Sequence, residues 1–206
     1  MNRYEGPLRQ QFEKYKVPYF MDTTKSMLTN PFVAFIRNAL AVLKQGFRYD
    51  DVFRFLRTGM CDLTMDEIDR LENYVRARGI KGFSAWNRSF IYAHKESSRN
   101  AEELELLNSI REKVVSVFEM LWQEAGKKSL PAVKWCEVFY QFCVEQNIES
   151  KLETYAKLFE EKSDLSTALE YRQIYRLIMD LFNQIAELLG EDELTMQEFS
   201  DILDAG

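Results

Sequence analysis

The chain has 206 residues, 46% of them hydrophobic, and its 15 Phe, 10 Tyr and 3 Trp supply ample apolar surface for a packed core. It contains no run of about 18 apolar residues, as a membrane-spanning helix requires, and no apolar signal-peptide segment, so we expect a cytoplasmic protein that does not contact membranes. The net charge of −6 is unevenly distributed. Residues 1–90 carry 15 Lys and Arg against 10 Asp and Glu, whereas residues 91–206 carry 12 against 23. A basic first half suits contact with nucleic acid, although ordinary solvated helix surfaces explain the same split.

The first predicted elements are a helix over Arg3–Lys16 and a short strand, Val17–Met21, of β-branched and aromatic residues. A lone strand cannot satisfy its own backbone donors and acceptors, so it must pair with a sheet that is not evident in these residues. We therefore expect the chain to be a piece of a larger protein. Residues 1–27 would belong to another domain of that protein, and residues 28–206 would form a helical domain.

Caps and glycines mark the helices that follow. Asn30 or Thr29 caps a helix that Gly46 ends, and Gly59 ends the next one. The sequences Thr64–Glu67 and Thr195–Glu198 are capping boxes, which predict two further helix starts. Other helices are predicted around Trp86, over Ala101–Ala125, from Ser129–Pro131 onward, over Glu149–Lys162 and over Leu165–Leu189. The polar stretch His94–Asn100 predicts a mobile loop, and residues 93–100 are a candidate boundary between two subdomains. The predicted fold is all-α: a multi-helix orthogonal bundle with one short orphan strand near the N-terminus.

The motifs of common catalytic sites are missing from the sequence. It has no GxxxxGK[ST] phosphate loop, no glycine-rich dinucleotide turn and no HExxH pair, and its single histidine is His94. The cysteines, Cys61, Cys136 and Cys143, lack CxxC spacing, so we expect reduced thiols rather than disulfides or a metal site. Several carboxylates have the pattern of exposed helix faces: Glu102, Glu103, Glu105, Asp180 and Glu187. We expect no catalytic, cofactor-binding or metal site in this chain.

Basic and aromatic residues alternate over residues 47–88. The basic residues are Arg48, Arg54, Arg57, Arg76, Arg78, Lys81 and Arg88, and the aromatic ones are Phe47, Phe53, Phe55, Phe83 and Trp86. Such a pattern can follow a phosphate backbone while its rings stack on bases. The alternative is that the rings are core residues and the arginines extend from the surface, which the helical spacing of the rings favours. The best candidates for contacts with the DNA backbone are Arg54, Arg57, Arg76, Arg78 and Lys81.

Several of these segments together resemble the B subunit of the AddAB/RexAB-type bacterial helicase–nuclease. The most specific are residues 12–22 (FEKYKVPYFMD), 30–40 (NPFVAFIRNAL) and 49–59 (YDDVFRFLRTG), and looser matches are residues 66–75, 79–82, 135–136 and 197–206. The resemblance covers most of this chain but only a central part of that large protein. It implies that residues 1–27 come from a motor domain and that the rest is a helical insertion in a degenerate helicase motor.

The resemblance also implies a role in processing double-strand DNA breaks for recombinational repair. The complex would need ATP, magnesium and an iron–sulfur cluster, but none of the matching segments holds a ligand for them. The implied partners are the A subunit, the remainder of the parent polypeptide and double-stranded DNA. The alternative is a free-standing helical adaptor that binds another protein. The length of the open reading frame distinguishes the two, because an adaptor would stop near Gly206.

Overall fold

The computed structural model describes residues 29–91 and 98–205, and this part of the chain consists of nine helices and one two-stranded sheet. The first five helices are α1 (Pro31–Lys44), α2 (Tyr49–Leu56), α3 (Met65–Arg78), α4 (Phe83–Trp86) and α5 (Ser98–Ala125). They are followed by β1 (Leu130–Pro131), α6 (Ala132–Glu145), α7 (Ile148–Glu161), α8 (Leu165–Leu189), β2 (Glu193–Leu194) and α9 (Met196–Ala205). The predicted all-α class is confirmed.

Helix α1 begins as its sequence predicts. The Asn30 side chain accepts a hydrogen bond from the Phe32 backbone N–H at 2.9 Å, and Pro31 occupies the first helical position, where its missing N–H costs nothing. One face of the helix is buried along its whole length: Phe32, Phe35, Ile36, Ala39, Leu40 and Leu43. This face packs mainly against α2, which buries its own apolar residues in the same core.

Both predicted capping boxes are present. In α3, the Thr64 hydroxyl accepts from the Glu67 backbone at 3.2 Å, and the Glu67 carboxylate accepts from the Thr64 backbone at 2.7 Å. Thr195 and Glu198 make the same pair of bonds at the start of α9. Gly79 ends α3 in the left-handed conformation, with φ of 61°, which glycine adopts without a steric penalty.

The small sheet corrects the prediction that Ser129–Pro131 opens a helix. Leu130 and Pro131 instead form β1, which pairs antiparallel with β2, and α6 starts one residue later at Ala132. The Trp135 indole donates to the carbonyl oxygen of Leu194 at 2.9 Å, so the sheet is joined to α6. A partner more than sixty positions away supplies the backbone hydrogen bonds that favour a strand here.

The second correction concerns the predicted loop His94–Asn100. Residues 98–100 are helical and form the first turn of α5, because each residue added to a long helix gains a backbone hydrogen bond. Residues 92–97 lie outside the described part, as do the predicted helix Arg3–Lys16 and the predicted orphan strand Val17–Met21. The division into domains at residue 27 and into subdomains near residues 93–100 stays a prediction.

Buried aromatic rings join the helices into one core. Phe35 of α1 stacks on Phe55 of α2 with ring centroids 4.8 Å apart and on Phe142 of α6 at 5.0 Å. Phe55 also contacts Phe118 of α5 at 4.7 Å. The contiguous cluster of buried residues extends from Phe32 to Phe199 in sequence, so it includes both the first helices and α9. Burial of this apolar surface is the main force that holds the helices together.

Candidate nucleic-acid interface

Two of the five predicted phosphate contacts, Arg57 and Arg76, converge on the carboxylate of Glu72 in α3. The Arg57 guanidinium donates to Glu72 and, through Nη2, to Asp69 Oδ1 at 2.6 Å. Arg76 donates through Nη2 to the Tyr49 hydroxyl at 2.6 Å, and that hydroxyl donates to Glu72 Oε1. The network joins α2 to α3. Both guanidinium groups therefore already have acidic or hydrogen-bonding partners within the protein.

The network also sets the ionisation of its members. Burial by itself would raise the pKa of Glu72, but the hydrogen bonds from Tyr49 and Arg57 outweigh it, so the pKa is lower than usual. The hydrogen bonds to Asp69 and Glu72 raise the pKa of Arg57. Burial, and then the bond to Glu72, raise the pKa of Tyr49. A phosphate would have to displace ionised carboxylates to bind Arg57.

The other three predicted contacts are separate from this network. Arg54 is exposed on α2, with Nη1 at 3.7 Å from Asp51 Oδ1, a loose ion pair. Arg78 lies in the last turn of α3 with its guanidinium carbon 5.9 Å from the centre of the Tyr74 ring. Lys81 is exposed in the turn between α3 and α4. The structure thus brings Arg57 and Arg76 together but does not gather all five in one site, and phosphate contact by any of them stays a prediction.

The aromatic residues between these basic groups belong to the core. Phe47, Phe55 and Trp86 are fully buried and Phe53 is 3% exposed. Phe83 is half-buried and stacks on Trp122, with ring centroids 4.5 Å apart. Buried rings have no free face for a base. Core packing therefore explains the alternation of basic and aromatic residues, as their helical spacing indicates.

A cleft lined by basic side chains is a feature that the sequence analysis missed. It has a volume of about 470 Å³ and lies between α1, the start of α2 and α9. Its basic residues are Arg37, Lys44, Arg48 and Arg54. The spacing of Arg37 and Lys44, seven positions apart on one face of a helix, was a signal in the sequence. The contribution of α9 was not visible there, because Lys44 and its partner Ser200 are 156 positions apart.

The three cysteines are free, buried thiols. Burial raises the pKa of Cys61 and Cys143 to about 12 and that of Cys136 to about 11, so the reactive thiolate is scarce at neutral pH. Within residues 29–91 and 98–205, His, Cys, Asp and Glu side chains form no group of three or more that could hold a metal ion. No helix in the same ranges is both long and apolar enough to cross a membrane.

Comparison with known proteins relates the chain to one bacterial protein, the B subunit of an ATP-dependent helicase/deoxyribonuclease. The chain is 37% identical over 209 residues to this protein from Lachnoclostridium phytofermentans, a match that covers 100% of this chain and 18% of the relative. The protein of the same name from Clostridium botulinum strain Hall is 34% identical over 211 residues, which are 98% of this chain and 18% of the relative. That from Alkaliphilus oremlandii is 33% identical over 215 residues, 100% of this chain and 19% of the relative.

The chain therefore spans about 18% of the length of the curated relatives it matches. No protein-family model matches it. The similarity extends over the whole chain, including the residues on which the resemblance was based. The resemblance inferred from the sequence is confirmed: this chain is homologous to one segment of the B subunit of the ATP-dependent helicase/deoxyribonuclease.

Proposed function

We propose that this chain is a non-catalytic helical domain of an ATP-dependent helicase–nuclease subunit that processes double-strand DNA ends for recombinational repair. The observation that carries the proposal is the match of the whole chain to about 18% of the relatives' length at 33 to 37% identity. The name of those relatives describes the activity of proteins more than five times as long. A segment of this size contributes to that activity as one domain among several.

The state of the carboxylates supports a structural role. A carboxyl group that donates a proton near neutral pH needs a raised pKa. Glu67 and Glu198 instead have lowered pKa values, chiefly because they accept hydrogen bonds from the backbone of Thr64 and Thr195. The pKa of Glu160 is lowered by its hydrogen bonds to Arg172. These groups stabilise helix starts and join α7 to α8, which are roles in folding.

In this proposal, ATP, magnesium and the iron–sulfur cluster are bound elsewhere in the complex. The helical domain holds its place through contacts with the remainder of its own polypeptide and with the A subunit, in the bacterial cytoplasm. Its basic first half lies nearer to double-stranded DNA than its acidic second half, because like charge would repel the phosphate backbone. The packed aromatic core supplies the rigidity that a positioning domain needs.

The test is an assay of the purified chain for ATP hydrolysis and DNA cleavage, with magnesium and with or without blunt duplex DNA. We expect rates equal to those of a buffer control. A Phe35→Ala variant, purified in parallel, identifies contamination, because a contaminant's activity would not respond to damage to this core. DNA-stimulated ATP hydrolysis that the wild-type chain shows and this variant loses would contradict the proposal.

A further inference from the structure

The basic cleft has walls that come from distant parts of the sequence. Lys44, the last residue of α1, donates from Nζ to the Ser200 hydroxyl of α9 at 3.4 Å. Arg37, two turns earlier in α1, pairs with Asp204 of α9 at 2.8 Å between Nε and Oδ1. These two contacts fix α9 against α1. The cleft is therefore a product of the folded domain and is formed before any ligand binds.

Two of the basic side chains in this cleft contact neutral groups. Among the described residues, the polar contacts of Lys44 and Arg48 are with the Ser200 hydroxyl and, at 3.4 Å, with the side-chain oxygen of Gln45. Neither has a carboxylate oxygen within salt-bridge distance in that part of the chain. Arg54 also lines the cleft and is held only loosely, at 3.7 Å from Asp51.

Three aspartates line the same cleft, and their partners decide its net charge. Asp51 and Asp204 lie beside Arg54 and Arg37. Asp50 has no basic group within salt-bridge distance among residues 29–91 and 98–205. Lys44 and Arg48 together outnumber Asp50, so the charge that is not neutralised in the cleft is positive. A concave surface of one sign concentrates ligands of the opposite charge.

The size and chemistry of the cleft suit a phosphate group. Its volume of about 470 Å³ is within the usual range for small-ligand sites. Phosphate oxygens accept charge-assisted hydrogen bonds from ammonium and guanidinium groups. Arg57 and Arg76, by contrast, already have acidic or hydrogen-bonding partners within the protein. A phosphate that approaches this half of the chain meets less competition in the cleft.

We propose that the basic cleft binds a phosphate group, with Lys44 and Arg48 as donors and Arg54 as a third donor that leaves Asp51. The phosphate comes from the backbone of double-stranded DNA. That source rests on the proposed function of the chain. The phosphate site itself does not, because free inorganic phosphate offers the same chemistry.

The test uses the 206-residue chain with two probes, inorganic phosphate and a short blunt DNA duplex. The cleft variant is Lys44→Gln with Arg48→Gln. The control variant, Lys157→Gln with Arg176→Gln, removes the same charge from the exposed faces of α7 and α8. Phosphate binding is followed by NMR at the backbone amides of residues 44–48 and 200. Duplex binding is followed by fluorescence anisotropy over a range of salt concentrations. Circular dichroism confirms that both variants are folded.

We expect phosphate to shift those amides in the wild-type chain and in the control variant but not in the cleft variant. Duplex affinity should fall about tenfold for each DNA phosphate that the cleft variant no longer binds. The slope of affinity against salt should fall by roughly one unit for each such phosphate. Asp50→Asn should strengthen the binding of both probes, because it removes a charge that opposes the phosphate.

Equal duplex affinity and salt slope in the cleft and control variants, with no phosphate-induced shifts, would overturn the proposal. Binding of a polyglutamate peptide in the cleft, where phosphate and duplex do not bind, would also overturn it and assign the site to an acidic protein segment. Phosphate shifts without duplex binding would keep the phosphate site and overturn its DNA source. None of these measurements depends on ATP hydrolysis or on the A subunit, so their failure leaves the proposed function standing.

Discussion

Arg111 of α5 is a buried arginine, 4% exposed, that fixes the segment after α4. Its Nη1 donates to the Trp86 carbonyl oxygen at 3.1 Å, and its Nε donates to the Asn108 side-chain oxygen at 3.2 Å. Asn108 in turn accepts from the Phe90 backbone N–H at 2.7 Å and donates to the Phe90 carbonyl oxygen at 2.9 Å. Two polar side chains therefore satisfy the backbone groups of a segment that has no regular structure of its own.

We expect Arg111→Met to lower the free energy of unfolding by about 2 kcal/mol, because it leaves the Trp86 carbonyl oxygen without this donor in a buried position. Methionine keeps much of the apolar volume, so the change in stability reports mainly on the hydrogen bonds. Urea unfolding measures it. The matched control is Arg176→Met, whose arginine side chain is 86% exposed and whose effect should stay within about 0.5 kcal/mol. Equal stability of the two variants would show that the buried bonds contribute nothing.

The capping boxes at the starts of α3 and α9 couple helix stability to pH. The Glu67 carboxylate accepts from the Thr64 backbone, and this bond is the main cause of its lowered pKa. The folded pKa thus lies below the usual value of 4.5. The ionised group then adds stability that is fully present above pH 4.5 and is lost as the pH falls through the folded pKa. The pKa of Glu198 is lowered in the same way.

We expect Glu67→Gln to be less stable than the wild type at neutral pH and to lose less stability between neutral pH and about pH 3. The glutamine can still accept the Thr64 hydrogen bond but has no charge to titrate. Urea unfolding at several pH values measures the difference. Thr64→Ala, which removes the other half of the box, should cost about 1 kcal/mol at neutral pH. Parallel stability curves for the wild type and Glu67→Gln would contradict the assigned role of this carboxylate.

Elements whose signals lie within a few residues were predictable from the sequence. The Asn30–Pro31 start, both capping boxes and the stop at Gly79 each depend on groups no more than four positions apart. The β1–β2 pairing was not predictable, because it depends on Leu130 meeting Leu194. The same limit applies to the site. The arginines could be picked out from their charge, but Tyr49 and Arg76, which share a hydrogen bond, are 27 positions apart.

At the scale of the whole molecule, the charge split and the core have different consequences. The basic cleft is built from α1 and α2 of the basic half together with α9 of the acidic half. The core joins the same halves through Phe35, which contacts both Phe55 and Phe142. Damage to the core should therefore remove the cleft and every other surface of the described part together. A change confined to exposed carboxylates should leave both intact.

The most direct measurement is the rate of duplex-end degradation by the helicase–nuclease complex whose B subunit contains this chain. The fold variant is Phe35→Ala, which should cost about 3–5 kcal/mol by leaving a cavity in the core. The surface variant changes the exposed acidic residues Glu102, Glu103, Glu105, Asp180 and Glu187 to their amides. We expect the fold variant to lose degradation and the surface variant to keep it. Wild-type degradation by the fold variant, with proteolysis showing the domain unfolded, or loss of degradation by a folded surface variant, would contradict a structural role for this chain.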